Sequence, residues 1–566
     1  MKQRQGAIPQ LSIVIPTYNR AAPLRACLEA LCHQTQPARD FEVIVVVDGS
    51  TDGTCDMLAA LSTPYSLGVY RQNNRGQGAA LNRGVQAASG RFCLLLDDDI
   101  IADPQLVAAH LKAQGTHGGI IGLGQLTLRL PDEADSLTRS FASWWRDHYD
   151  RLNEGMRLPS FMDCYSGNLS VPRMALLEAG GFAVDLPRSY DIELGYRLER
   201  LGLSLLYIPE AIGQQDYGKG AREIMADAEK AGVAGVELYR RYPSLLPSLR
   251  LGRFNSATLR EILLRRLLLA IGIPSRPLAM FGRLLGKKFR TRAWYPFVDR
   301  YCYWRGVRRA VPDADTWHRL TRGPIFLMYH AFGGPRESPT RYIIPARRFA
   351  RQMAWLKRRH YHVISLEEYL QYRREHRLPP ASAVVLTLDD GYTDNRTIAY
   401  PILCRYGFPA TIFLVSGAIG GTNQWDTHGE LAGRSVLSWS EIQAMQQGGM
   451  HFGAHTRTHV LLTAAPPTQV EDEVTGSRQD LEAHLGRRVL VFAYPYGKSD
   501  ATSQATAEHA GFIGACSTHS GLNDPATPLY KLRRVEIRGT DSWVRFVLTL
   551  WLGRSRMSWR RWRRPA

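Results

Sequence analysis

Two clusters in this 566-residue chain have residue types and spacings that could do chemistry. Asp97, Asp98 and Asp99 follow one another directly after the apolar run 92–96. Three like charges at one strand end repel unless a cation neutralises them. A hard divalent ion bridging two phosphates would do so through oxygen ligands. The second cluster joins the paired carboxylates of Thr387-Leu-Asp-Asp-Gly391 to two imidazoles four residues apart in His455-Thr-Arg-Thr-His459. Histidines so spaced share a helix face or converge from a turn, and with one carboxylate they form the open triad of a hydrolytic metal. Two further segments, Pro16-Thr17-Tyr18-Asn19 and Asp48-Gly-Ser-Thr-Asp-Gly53, also follow apolar runs, although a turn and a helix cap would account for the second.

Such groups need strands that end where they begin. In residues 8–240, β-branched runs at 11–15, 41–47 and 92–96 alternate with helical patterns at 24–31, 55–61 and 78–88. The alternation predicts βαβ units around a mainly parallel, buried sheet, with ligands beyond the carboxyl ends of the strands. In residues 323–550, runs at 325–329, 383–388, 411–415, 450–452, 489–493 and 512–515 are again separated by helical stretches. A second parallel sheet, able to close as a barrel, is expected. The fold class is therefore α/β in both bodies.

Within the first body, Val14-Ile-Pro-Thr-Tyr-Asn-Arg20, Val46-Val-Asp-Gly-Ser-Thr-Asp-Gly-Thr54, Asn82-Arg-Gly84 with Ala88-Ser-Gly90, Leu96-Asp-Asp-Asp99 and Gly180-Gly-Phe182 resemble a family 2 glycosyltransferase of GT-A, Rossmann-like fold. The resemblance implies that Pro16, Thr17, Tyr18, Asp48, Asp97 and Asp98 bind a nucleotide-sugar donor and that Asp99 holds Mg²⁺ or Mn²⁺ on its diphosphate. It also implies that Asp191, in Tyr190-Asp-Ile-Glu-Leu-Gly-Tyr-Arg197, is the base for the acceptor hydroxyl. Tyr190 stands where family members usually carry Glu, and capping of the helix is the alternative role for Asp191. The Gln-x-x-Arg-Trp motif of processive synthases is missing at Gln214-Gln-Asp-Tyr217, so addition of one sugar is expected.

The second body resembles the polysaccharide deacetylase (NodB homology) domains of carbohydrate esterase family 4, a (β/α) barrel. Leu327-Met-Tyr-His330, Thr387 to Gly391, His455 to His459 and Phe492-Ala-Tyr-Pro-Tyr-Gly497 carry the likeness. It implies that Asp389 is the general base, that Asp390, His455 and His459 hold Zn²⁺ or a similar divalent metal, and that the Tyr496 N–H stabilises the oxyanion. The division suits the chemistry, one carboxylate on the metal and its neighbour taking the proton of the attacking water. Two departures stand out. Ala493 occupies the place of an arginine that pairs with the base in many members, and the late Leu-x-His motif reads Leu532-Arg533-Arg534, without the histidine that serves as general acid. His519 lies nearby in a late loop.

The net charge of +19 invites a nucleic-acid reading, but its location does not. Residues 240–322 carry a net +15 and residues 551–566 add +6, leaving about −2 for everything else. The chain thus divides into a glycosyltransferase domain (8–240), a basic, aromatic-rich connector (241–322), a deacetylase domain (323–550) and a basic Trp/Arg tail (551–566). No RRM, KH or helix-turn-helix pattern accompanies the arginines, so nucleic acid is not the expected partner. Arginine with tryptophan instead suits an anionic membrane surface, with a solvated basic linker as the alternative. Eight scattered cysteines without a CxxC, and no apolar segment of signal-peptide or bilayer length, lead us to expect a cytoplasmic protein, peripheral on the inner membrane face.

Together these readings predict a bifunctional carbohydrate enzyme. It would transfer a sugar, by resemblance a hexosamine, with inversion from a nucleotide-diphosphate donor to a glycan or lipid-linked acceptor, and remove an N-acetyl group with a metal-dependent second site. The alternative is an active glycosyltransferase whose deacetylase-like domain only binds sugar.

Overall fold

In the computed structural model, which describes residues 8–274, 277 and 294–554, the chain separates into two compact units. The first takes residues up to 241 together with 265–310, and the second takes 242–264 and the chain from 311 onward.

The first unit is built on β1 (Leu11–Thr17), β2 (Phe41–Asp48), β3 (Ser66–Gln72), β4 (Phe92–Leu96), β5 (Ile100–Ala102), β6 (Ile120–Arg129), β7 (Asn168–Pro172) and β8 (Ser204–Asp216). Their order across the sheet is β3-β2-β1-β4-β7-β6-β8-β5. The first four strands are parallel, while β7 runs antiparallel between β4 and β6. Every residue of β1 and β4 is buried, which is why these strands read as unbroken apolar runs.

The expected connector is not a free linker. Helix Trp294–Ala310 lies along helix Ala221–Arg241, and glycine makes the approach possible: a Cβ on Gly232 would strike the Tyr303 carbonyl oxygen, and one on Gly306 that of Glu229. Tyr301, Cys302, Tyr303 and Trp304 are buried, and Glu229 pairs with Arg305 (3.4 Å) and Arg309 (2.6 Å). The basic residues thus share their helix with an apolar packing face that composition alone does not reveal. The run at 278–285 and the tail residues 555–566 lie outside the described residues.

The second unit contains β9 (Ile325–Tyr329), β10 (Ala331–Gly333), β11 (Ile343–Pro345), β12 (His362–Ile364), β13 (Ala383–Leu388), β14 (Thr411–Leu414), β15 (His451–Ala454), β16 (Val491–Ala493), β17 (Gly514–Cys516) and β18 (Val535–Glu536). Seven of them form a parallel sheet in the order β17-β16-β15-β14-β13-β9-β18, β12 also pairs with β13, and β10 and β11 form a separate pair. The sheet curls into a barrel whose two edges meet through a bridge between Cys516 and Leu532. Among the described residues no helix is long and apolar enough to cross a membrane.

Residues 242–264 join this unit through a buried polar contact. Asn255 gives both its backbone N–H (2.7 Å) and its side-chain amide (2.7 Å) to Asp524, whose carboxyl burial pushes up to about 6. Asn255→Ala removes one donor to a buried carboxylate and is expected to cost about 2 kcal/mol. Denaturant titration of the full chain should show an earlier transition for the second unit and an unchanged one for the first.

Candidate active sites

The carboxyl ends of β1, β2 and β4 bring the first cluster together. Thr17, buried between Pro16 and the half-exposed Tyr18, donates its hydroxyl to Asp98 (2.7 Å). Arg20 bridges Asp98 (3.1 Å) and Asp99 (2.8 Å), Gln215 at the end of β8 donates to Asp99 (3.1 Å), and Gln77 donates to Asp97 (2.8 Å). Burial, with the charges of Asp99 and Asp98, pushes the Asp97 carboxyl up to about 7. Burial also raises Asp98 to about 6, against the lowering influence of Arg20. Arg20 therefore bridges two of the three carboxylates, and the raised Asp97 and Asp98 show acid that it does not fully neutralise; among the described residues the three do not converge as a metal-ligand group.

Asp48 is placed differently from a free ligand group. Its carboxylate accepts from the Gln72 side chain (2.8 Å) and from the N–H groups of Arg75 (2.9 Å) and Gly76 (2.8 Å), so it fixes the loop after β3 at the edge of the site. Asp191 lies in the first turn of helix Tyr190–Arg200. The N-cap position belongs to Ser189, and Asp191 accepts the N–H of Ile192 (2.9 Å). Burial raises its carboxyl above the usual range. Tyr190 is tied in as well: its hydroxyl donates to Gln77 (2.8 Å), the same residue that donates to Asp97. The residue that departs from the family pattern thus links the helix of Asp191 to the aspartate triplet.

The second cluster assembles at the carboxyl ends of β13 and β15. One ligand atom each from Asp390, His455 and His459 falls within 4.8 Å of the others, and all three residues are buried. His455 and His459 present Nε2 to Asp390 at 3.5 and 3.4 Å. Nδ1 of His455 meets the Ala493 carbonyl at 2.7 Å; because a carbonyl only accepts, Nδ1 carries the proton and Nε2 keeps its lone pair. Burial lowers His455 to about 4, keeping it neutral, while Nδ1 of His459 is buried with no hydrogen-bond partner among the described residues. Burial works to raise Asp390, yet the His459 hydrogen bond and the charges of His459, His330 and His455 hold it well below the usual carboxylate range. One ionised carboxylate and two imidazoles fit Zn²⁺ or a similar ion. Trp425 stacks on His459 (5.0 Å), and Tyr496, half exposed, meets its ring edge-on (4.9 Å).

Asp389 does not join this triad. Both its oxygens are held by Arg534, at 2.6 and 2.8 Å, and that guanidinium is itself fully buried, bonded also to the Ser517 carbonyl (3.1 Å). Burial alone would raise Asp389, but the charges of Arg534, His455 and His330 bring it below the usual range. Asp389 thus has an arginine partner, supplied from the segment just before β18. Sequence reasoning missed it because the partners are 145 positions apart; the signal available was an arginine at the position where the late motif has lost its histidine. His330, directly after β9, was also passed over as a site residue, and its charge acts on both Asp389 and Asp390. His519 is exposed, its ring meeting only Ser517 Oγ (3.2 Å) among the described residues.

A family model described as Glycosyl transferase family 2 matches residues 12–179, and one described as Polysaccharide deacetylase matches residues 376–514. The putative polysaccharide deacetylase YxkH of Bacillus subtilis is 27% identical over 234 residues, 41% of this chain and 78% of its own length. The validoxylamine A glucosyltransferase of Streptomyces hygroscopicus subsp. jinggangensis is 31% identical over 287 residues, 43% of this chain and 63% of its own length. The chain thus spans less than two thirds of that glucosyltransferase. Among solved structures, the Streptococcus pyogenes deacetylase PplD in complex with acetate aligns with 27% identity and a TM-score of 0.35, over 40% of this chain and 98% of that one. Asp191, His330 and Arg534 fall outside both matched spans.

Both sites generate predictions. Carboxyls raised in the folded state mean that the fold binds more protons than the unfolded chain, so the first unit loses stability as pH rises from about 4 through about 7. A divalent cation should offset that loss. The rise in melting temperature on adding Mn²⁺ is expected to be larger at about pH 8 than at about pH 5.5, and to vanish in Asp99→Asn. In the second unit, Arg534→Lys keeps a charge but loses the fork, and deacetylation should fall about 100-fold in kcat with bound metal, read by elemental analysis, unchanged. Arg534→Met should also cost about 3–5 kcal/mol of stability, because it strands a buried carboxylate.

Proposed function

From a chain that carries a family 2 glycosyltransferase domain followed by a polysaccharide deacetylase domain, we propose a bifunctional carbohydrate enzyme that adds one sugar and removes an acetyl group. The donor is a nucleotide-diphosphate hexosamine, the acceptor hydroxyl belongs to a glycan or a lipid-linked sugar, and the second reaction is N-deacetylation in the making of the same product. Tethering raises the effective concentration of the first product at the second site.

In the first reaction, Thr17 and Asp98 at the end of β1 and β4 receive the donor, and Asp191 takes the acceptor proton as its oxygen attacks the anomeric carbon opposite the leaving diphosphate. Mg²⁺ or Mn²⁺ on Asp99 would neutralise charge on that diphosphate. A base within a helix first turn, with its carboxyl raised by burial, suits proton abstraction near neutral pH.

In the second reaction, Zn²⁺ or a similar ion held by Asp390, His455 and His459 would polarise the amide carbonyl and acidify a water. Asp389, held ionised and oriented by Arg534, receives the proton of the attacking water. The Tyr496 N–H donates to the oxyanion, and His330, which directly follows β9 and whose charge would act on both carboxylates, protonates the departing amine. The observation that carries an active second domain is the buried Asp389–Arg534 pair beside the triad. A module that only bound sugar would have no use for a fully buried ion pair aimed at one carboxylate.

Mass spectrometry of products from a panel of nucleotide sugars and glycan or lipid-linked acceptors separates the two steps, since transfer and acetyl loss give different mass shifts. Asp389→Asn should leave sugar transfer intact and accumulate the acetylated product, and His330→Ala should slow acetyl loss without loss of metal. Deacetylation only of sugars unrelated to the transferred one would sink the coupling. Indifference of the product to chelation would favour the sugar-binding reading.

A further inference from the structure

Helix Trp543–Leu552 buries Phe546, Thr549 and Leu550 in the second unit and leaves Val544, Leu548 and Trp551 outward, 66%, 40% and 51% exposed. Positions spaced by four and three share one helix face, so these residues form a single apolar stripe open to solvent. Helix Ala346–Arg358 runs beside its start, and a groove of about 350 Å³ opens between them, lined by Arg347, Arg348, Arg351, Ser542 and Trp543. The guanidinium of Arg351 sits over the Trp543 ring (4.1 Å), and Trp355 meets that ring edge-on (5.4 Å) with Arg358 and Arg359 over its own faces (5.1 and 4.6 Å).

Most of the arginines here have no acidic partner among the described residues. Arg348 is bonded to the Gly539 and Asp541 carbonyls, and the one acid of the groove, Asp541, is paired with Arg545 (3.0 Å) and accepts the Arg538 N–H (2.9 Å). Arg347, Arg351, Arg358 and Arg359 are exposed and have no ion pair among the described residues. Immediately beyond this helix the sequence continues with five arginines and two tryptophans in residues 555–566 and no acid.

We propose that the face formed by helices Ala346–Arg358 and Trp543–Leu552 docks on an anionic phospholipid bilayer. The groove arginines meet lipid phosphates, the tryptophans lie at headgroup level, and the apolar stripe of Val544, Leu548 and Trp551 enters the boundary with the acyl chains. Charge complementarity selects this occupant. A protein partner covering an apolar stripe would not require a rim of unpaired arginines, and a nucleic-acid site would leave the stripe with nothing to contact.

Co-sedimentation of the full-length protein with vesicles tests the assignment, using phosphatidylcholine alone against an equal mixture with phosphatidylglycerol. Binding is expected only to the mixed vesicles and should weaken with salt. Arg347→Gln with Arg351→Gln should reduce the partition coefficient about fivefold per arginine, roughly 25-fold together. Val544→Asp with Leu548→Asp should reduce it at least as far, with both double variants retaining wild-type deacetylase activity as proof of folding. Equal binding to both vesicle types overturns the proposal, as does unchanged binding by both double variants. Retention of a single-stranded oligonucleotide without vesicle binding would overturn it in favour of nucleic acid, and a monomeric Val544→Asp, Leu548→Asp variant of an otherwise dimeric protein would overturn it in favour of a second copy of the chain.

Discussion

A guanidinium buried to the last atom beneath a carboxylate is an expensive thing to fold, and the arrangement of the second site follows from it. Arg534 engages both oxygens of Asp389, so that carboxylate is ionised, immobile and unable to turn toward a metal. The neighbouring Asp390, one residue further along the strand end, faces the two imidazoles instead. Two chemically identical side chains are thereby given different work by their partners. The barrel supports the pair from below: Arg534 precedes β18, which pairs with β9, which pairs with β13, and the side chain reaches Asp389 across that register.

The first site handles a similar concentration of acid by the opposite means. Arg20, its side chain 40% exposed, spans Asp98 and Asp99 but cannot neutralise three carboxylates, and the remainder shows as the raised Asp97 and Asp98. A permanent buried cation would close the site to an exchangeable one. A partly exposed arginine shared between two carboxylates leaves that acid open to further cations from solvent. The two clusters thus differ in how their acid is held: one carboxylate is fixed by a fully buried guanidinium, while the other set is only partly neutralised by a half-exposed one.

Much of this is legible in the sequence. Strand-end positions such as Asp97, Asp389 and His455 could be read because a buried parallel strand is an uninterrupted apolar run and its functional residue is the first polar one after it. The connector was misjudged because composition reports charge and not faces; Glu229, Gly232 and Gly306 turn an apparently basic linker into a helix pair. Asp48 is expected from the sequence to bind nucleotide, and the fold adds a second role, since its carboxylate also holds Gln72 and the loop after β3 through amides that no side-chain pattern encodes. Arg534 was invisible for a different reason. Its partner is set by strand order: β18 pairs with β9 and β9 with β13, which brings residues 145 positions apart to neighbouring strand ends.

Backbone strain follows the same map. Nine described residues other than glycine have positive φ, and six of them border the two sites: Asn19 and Ser189 at the first, Asp390, Thr456, His459 and Tyr496 at the second. Each such residue costs about 1–3 kcal/mol, least for asparagine, and persists only where its surroundings over-determine it. At the second site the determinants can be named: Asp389 N–H on the Tyr329 carbonyl (2.9 Å) and His455 N–H on the Leu414 carbonyl (2.8 Å), both on strands with no exposed residue, and His459 N–H on Thr456 Oγ1 (2.9 Å) within the turn itself. The turns that aim the ligands are strained because they must reverse the chain within one or two residues of a strand end. They hold because those strands are fully buried and packed in the barrel core, and close packing there is what permits an unfavourable backbone at its rim.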